Sequence, residues 1–295
     1  MADKKLNGLG VALVTPFKRD LSIDFNALGS VIEHIISGGC DYIVVLGTTS
    51  ENPTLTSEEK REITKYVKIK TNGRVPLVIG IGGNNTSGVI NDILHRDLEG
   101  YTAILSVTPY YNKPTQEGMF QHYKSIAAIS PLPLILYNVP SRTGVNLTSA
   151  TTLRLSEVPN IFGIKEASGN IGQSEEIIRK AKNDFLVISG DDALTYPLME
   201  KGAKGVISVL ANAFPKEVKE LVNLCRDGNF SKAKEHQNTF NPFIKDLFED
   251  GNPAGVKAVL SKMGLIENTL RLPLLPASKE LEDKLEKKAS ELFNK

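Results

Sequence analysis

Cysteine is scarce in this chain. Cys40 and Cys225 stand alone, with no Cys-x-x-Cys spacing, so neither a disulfide framework nor a zinc site is suggested. Histidine is hardly more frequent: His34, His95, His122 and His236 fall singly in helix-like stretches, without the paired spacing of metal ligands, and read as helix-surface or satisfied structural residues. An excess of one charge is also missing. With 35 Lys and Arg against 34 Asp and Glu, nothing in the balance favours nucleic acid or an anionic membrane as a partner. No apolar run approaches the roughly 20 residues that cross a bilayer, and residues 1–8 lack the apolar region of a signal peptide, so a cytoplasmic location is expected. The stretch Gly80-Ile81-Gly82-Gly83-Asn84-Asn85 leaves a Gly-x-Gly-x-x-Gly fingerprint incomplete, which counts against a doubly wound nucleotide fold.

What is present is a regular alternation. Short apolar, β-branched runs recur at residues 10–14, 42–46, 77–81, 103–107, 134–137, 162–165, 185–189 and 205–209. Amphipathic stretches separate them. Residues 57–70 follow a capping-box pair, Thr56 and Glu59, while Phe25, Leu28, Ile32 and Ile35 make a stripe that Gly38-Gly39 ends. Strands that are apolar throughout, each followed by a helix, imply a parallel sheet covered on both faces, and eight such units imply a closed α/β architecture, the (β/α)8 TIM barrel. Beyond Asn212 the pattern is helical only, at 216–225, 230–248, 253–263 and 279–293. The expected organisation is a barrel over residues 1–226 that carries the active site and a C-terminal helical extension over 227–295.

Active sites of such barrels lie at the C-terminal strand ends, which are unusually polar here. They read Gly47-Thr48-Thr49-Ser50-Glu51, Thr108-Pro109-Tyr110-Tyr111-Asn112, Tyr137-Asn138-Val139-Pro140-Ser141-Arg142-Thr143-Gly144, Lys165-Glu166 and Ser189-Gly190-Asp191-Asp192. Lys165 has two readings: a strand-end lysine reaching water beside Glu166, or a desolvated amine able to attack a carbonyl and form a Schiff base. Side-chain alternation puts Ile161, Gly163 and Lys165 on one face of the strand and Phe162 and Ile164 on the other. Hydroxyls of Thr48, Tyr111 and Tyr137 converging on an amine could relay the protons of carbinolamine, imine and enamine formation. Arg142 could hold one carboxylate through paired hydrogen bonds and the backbone amides of Thr48 and Thr49 another. Asp191 and Asp192 stand where a phosphate-binding barrel wants glycine amides and positive charge. Imine chemistry on a small keto acid remains, with no metal or cofactor implied.

Together these motifs, with Lys165-Glu166-Ala167-Ser168-Gly169-Asn170 and Gly205-Val206-Ile207-Ser208, resemble the dihydrodipicolinate synthase (4-hydroxy-tetrahydrodipicolinate synthase) family from about Gly8 to the C-terminus. The resemblance implies a lyase that condenses pyruvate with L-aspartate 4-semialdehyde in diaminopimelate and lysine biosynthesis. Lys165 would form the pyruvate imine and Tyr137 would donate and accept protons, with Thr48 and a Tyr111 from a neighbouring subunit completing the relay. Thr48 and Thr49 would receive the pyruvate carboxylate and Arg142 that of the semialdehyde, while the Gly190 and Ile207 backbones would line the pocket. A homotetramer, a dimer of dimers, is implied as well.

Two rivals stay open. Other Schiff-base pyruvate lyases, such as N-acetylneuraminate lyase and 2-keto-3-deoxygluconate or 4-hydroxy-2-oxoglutarate aldolase, share the chemistry but usually lack the Tyr111 and Arg142 combination. A non-catalytic keto-acid-binding paralogue would be expected to lose these costly residues. Ser50 replaces a usual glycine. Ser57, Lys60 and Gly88 replace the two histidines and the glutamate of lysine-inhibited relatives, so weak or absent lysine feedback is expected although Asn84 and Tyr110 remain.

Overall fold

The structure, a computed structural model, describes residues 6–293; residues 1–5, on which the reading of the N-terminus partly rests, lie outside them. Eight strands form a closed parallel barrel in chain order: β1 (Gly8–Ala12), β2 (Tyr42–Val45), β3 (Leu77–Gly80), β4 (Ala103–Val107), β5 (Leu134–Asn138), β6 (Ile161–Glu166), β7 (Leu186–Ser189) and β8 (Gly205–Ser208). Helices α1 (Phe25–Ser37), α2 (Ser57–Thr71), α3 (Thr86–His95), α4 (Gln116–Ile129), α5 (Pro140–Thr143), α6 (Ser149–Ser156), α7 (Ile171–Lys180), α8 (Thr195–Glu200) and α9 (Pro215–Arg226) lie between and after them. Three more, α10 (Phe230–Leu247), α11 (Ala254–Lys262) and α12 (Lys279–Phe293), follow. The TIM barrel with a helical C-terminal part is thus the fold observed. Among the described residues no helix is long and apolar enough to cross a membrane.

Strand ends shift from the expected ones for local reasons. β1 begins at Gly8 because Gly8 pairs with Gly205 to close the barrel, and it ends before Val14, whose N–H turns to the Asn212 side chain at 3.1 Å. β2 stops before Leu46, which enters the left-handed region at φ 58°. β5 and β6 run one residue further than expected, to Asn138 and Glu166, because these two pair with each other.

Two apolar layers result from the pleat. Ala12, Tyr42, Val44, Val78, Ile135, Tyr137, Ile188 and Ile207 fill the barrel, whereas Val11, Ile43, Val45, Ile79, Ile104, Leu136 and Ile164 face the helices. Gly10 is required by the inner layer, since a Cβ there would lie 2.3 Å from the Tyr42 ring. The strict alternation expected for β6 is broken at its start. Leu134 pairs with Ile161 but Ile135 pairs with Gly163, so Phe162 is an extra, bulged residue and packs on the inner layer while Ile161 joins the outer one. From Gly163 onward the alternation holds.

The isolated histidines are structural. Nε2 of His34 meets the Ala213 carbonyl, Nδ1 of His95 that of Asn91 and Nε2 of His236 that of Glu217, each at 2.9 Å. His122 meets Oγ1 of Thr86 at 2.9 Å, and burial pulls its pKa down to about 4. Both cysteines are buried free thiols.

Candidate active site

At the C-terminal ends of the strands lies a cavity of about 170 Å3, walled by Thr48, Thr49, Tyr137, Arg142, Lys165 and Gly190 among others. Lys165 is 6% exposed. Its position follows from the ladder: Tyr137 on β5 and Ile188 on β7 are its register partners, so its stem runs between an aromatic and an aliphatic neighbour. The Lys165 Nζ sits over the Tyr137 ring, 4.4 Å from its centroid. Of its two readings, the solvated strand-end lysine is therefore not the conformation observed. Gly190 makes room for it, since a Cβ at that position would lie 2.9 Å from Lys165 Cε and 2.8 Å from the Ala167 Cβ.

Thr48 and Thr49 open a 3-10 turn, Thr48–Ser50, straight after β2. Its internal hydrogen bonds run from Ser50 N to the Gly47 carbonyl and from Glu51 N to that of Thr48, which leaves the Thr48 and Thr49 N–H groups without an acceptor inside the turn. Among the described residues no acceptor is seen for either N–H, so the turn can offer both to a small carboxylate. Ser50 is accommodated: its φ is not positive, and its hydroxyl donates to the Gly47 carbonyl at 2.7 Å, tightening the turn. Arg142, at the end of the one-turn helix α5, lines this cavity and a second one of about 300 Å3 that also touches Thr48, Tyr110 and Tyr137. A third hollow, by Asn252 and Leu274, shares Arg142 too, so the guanidinium stands where three spaces meet.

Not every expected residue is gathered here. Tyr111 is 88% exposed, held at φ 74°, and does not line the cavity of its own chain. Ile207 is 1% exposed within the barrel interior, and Val209 forms the wall on that side. Asp192 turns away from the cavity: its carboxylate accepts from Val209 N at 3.0 Å and Leu210 N at 3.1 Å, tying the end of β7 to that of β8, and burial pushes its pKa up.

The C-terminal part contributes residues that the motif reading missed. Phe248 and Asn252 line the cavity, and Asn252 Nδ2 donates to the Thr49 hydroxyl at 3.0 Å. Glu51, next to the turn and in the left-handed region at φ 55°, is 1% exposed and accepts from Lys257 Nζ at 2.5 Å and Arg271 N at 3.0 Å. Lys257 is itself fully buried; desolvation lowers its pKa to about 8, against the opposing pull of Glu51. Arg271 continues the chain of charges to Glu59 at 2.5 Å, and both cations lie over the Phe17 ring. The only local signal was a lysine within the apolar run Ala254-Gly255-Val256-Lys257-Ala258-Val259-Leu260.

The arrangement can form an imine with a small keto acid, hold that acid's carboxylate on the Thr48–Thr49 amides, and receive a second anion at Arg142. The chain is similar to known proteins. The model of the "Dihydrodipicolinate synthetase family" matches residues 5–292. Proteins named 4-hydroxy-tetrahydrodipicolinate synthase are 53% identical in Parabacteroides distasonis and 51% in Phocaeicola vulgatus, each over 277 residues, 94% of this chain and 93% of the relative. The crystal structure of dihydrodipicolinate synthase from Thermotoga maritima superposes with a TM-score of 0.95 at 39% identity, covering 97% of this chain and 98% of that one. The chain belongs to the dihydrodipicolinate synthetase family.

Proposed function

We propose that this protein condenses pyruvate with L-aspartate 4-semialdehyde through an imine on Lys165, the activity for which its relatives are named. The observation that carries the reading is the Lys165 amine, buried at the strand ends and seated over Tyr137 beside two free amides and an arginine. The Lys165 nitrogen adds to C2 of pyruvate, whose carboxylate rests on the Thr48 and Thr49 N–H groups. Water leaves the carbinolamine to give the imine, and loss of a C3 proton gives the enamine. That carbon bonds to the aldehyde carbon of the second substrate, whose carboxylate Arg142 receives. The substrate's own amino group then displaces Lys165 by transimination, which closes the ring of 4-hydroxy-tetrahydrodipicolinate and frees the enzyme, with one water lost overall. Tyr137, against the amine, and Thr48, at the cavity wall, are the proton carriers of these steps; Gly190 shapes the lining, while Ile207 packs within the barrel interior.

Tyr111 completes the relay from a neighbouring subunit of a homotetramer, a dimer of dimers. Its exposure, and that of Leu272 and Leu275 at 76% and 66%, supports a contact surface. The helical segment 227–295 is proposed as a small domain leaning on the barrel rather than an inert tail. A cytoplasmic location is proposed with it, in keeping with the two free thiols.

Borohydride reduction in the presence of pyruvate tests the reading. A pyruvate-sized adduct on Lys165 by mass spectrometry is expected, and its absence overturns the mechanism. A coupled assay with aspartate semialdehyde set against N-acetylneuraminate decides the substrate. Sedimentation then reports the tetramer, and Tyr111→Phe should lower kcat without changing the assembly.

A further inference from the structure

The strand ends that bear Tyr137 and Lys165 each continue into a buried polar residue on the opposite face. Asn138 is fully buried and Glu166 is 2% exposed, and they are register partners, one step above the Tyr137 and Lys165 pair. Asn138 Nδ2 donates to both Glu166 oxygens at 3.2 Å, Ser168 N donates to Oε1 at 2.7 Å, and Gln173 Nε2 donates to Oε2 at 3.0 Å. Every one of these donors is neutral. Asn138 is fixed in turn, accepting from Leu147 N at 2.9 Å and donating to Asn146 Oδ1 at 2.8 Å, while Asn146 Nδ2 donates to Gln173 Oε1 at 2.8 Å.

We propose that Glu166, acting with Asn138, is a positioning residue for imine formation: the pair pins β5 to β6 so that the Lys165 amine keeps its height over the Tyr137 ring. The proposal rests on the reading of Lys165 as the imine-forming residue. A carboxylate buried without a cation is costly, and a leucine would fill the same space between barrel and helices at no such cost. What the carboxylate adds is direction. Side chains fixed on one face set the backbone that carries their sequence neighbours on the other, and reaction rates fall steeply when reacting groups are displaced by an ångström. The backbone of Glu166 extends the same control, since its carbonyl accepts from Gly190 N at 2.8 Å and so places the glycine that clears space for the lysine stem. Around the pair, the segment before α6 and helix α7 present Asn146, Leu147 and Gln173, and β7 presents Ser189. The titratable groups nearby, Lys165, Tyr137, Arg142 and Asp191, belong to the cavity side.

The test compares wild type with Glu166→Gln, Asn138→Ala and the double variant, each at full length. Three quantities are read: the rate of borohydride-trapped imine formation at saturating pyruvate, the half-saturating pyruvate concentration, and the melting temperature. Each single variant should slow trapping about ten- to a hundredfold. The double variant should be no slower than the worse single one, and half-saturation should stay within about twofold, because the pair acts on the reacting geometry rather than on carboxylate binding. Variants that melt lower yet trap at the wild-type rate overturn the proposal, as does a loss confined to half-saturation. Should Glu166→Gln fail to fold, Gln173→Met, which removes one outer donor and keeps the carboxylate, should slow trapping about threefold, and an unchanged rate there also overturns it. Wild type giving no adduct at all removes the Lys165 reading and this proposal with it, an outcome distinct from the others.

Discussion

Two buried glutamates close two of the strand-end motifs, and their surroundings satisfy them in opposite ways. Glu51, beside the Thr48–Thr49 turn, meets a buried lysine and the backbone of Arg271, both from the C-terminal part of the chain. Glu166, beside Lys165, meets among the described residues only amides of the barrel itself and of the turn and helix that follow its own strand. The Thr48–Thr49 side of the pocket is therefore braced by charge from outside the barrel, and the Lys165 side by neutral hydrogen bonds from within it. Ion-paired and amide-bonded carboxylates respond differently to loss of a partner, and the difference can be measured.

The largest effect is expected at Lys257. Lys257→Met strands a buried carboxylate and should cost about 3–5 kcal/mol in chemical denaturation. Adding Glu51→Gln should recover much of the loss, because replacing both ends of a buried pair costs far less than breaking it. A comparable cost for Gln173→Met would erase the distinction between the two sides, since one neutral donor among several is expected to be worth only about 1–3 kcal/mol. Gly190→Ala comes next. Its Cβ must displace the Lys165 stem, and kcat should drop about tenfold or more while the fold survives at a cost of about 1–3 kcal/mol.

Acid provides a smaller lever. Hydrogen bonding to Arg271 holds the Glu59 carboxyl at about 2, below its ordinary 4.5. A carboxyl depressed in the folded state contributes stability above the unfolded value and loses it as pH falls toward the folded one. The melting temperature should therefore fall between pH 4.5 and about 2, and Glu59→Gln should flatten that part of the profile. An unchanged profile would remove Glu59 from the brace. Least of all should lysine act: Ser57, Lys60 and Gly88 supply no carboxylate for its ammonium groups, so initial rates should hold through submillimolar lysine. Strong inhibition in that range refutes the expectation.

Much of this was readable beforehand, for an identifiable reason. Parallel barrel strands are apolar on both faces and short, so each leaves a local mark, and the polar residues that end them stand out against it. Thr48, Tyr137, Arg142 and Lys165, which line the cavity, stand out that way, whereas Gly190 was singled out only through the family resemblance. Phe162 was not, because a bulge is a property of two strands in register and β6 alone looks regular. Asn252 and Phe248 were missed for a similar reason: they reach the cavity from a loop and helix end whose own neighbours say nothing of a site. Lys257 left a trace, a single cation in an apolar helix, which becomes meaningful only when its partner is known.

That partner is far away along the chain. Thr49 waits 203 residues for Asn252, and Glu51 waits 206 for Lys257. At about 5–20 residues per second of synthesis, the glutamate spends roughly 10–40 s without its lysine while the barrel strands emerge. A nascent chain can thus lay down Lys165 and Tyr137 well before the Thr48–Thr49 turn is held in place. Translation that stops short of Asn252 leaves the Thr49 hydroxyl and the Glu51 carboxylate without these partners, so the pocket is braced only once the chain has passed Lys257.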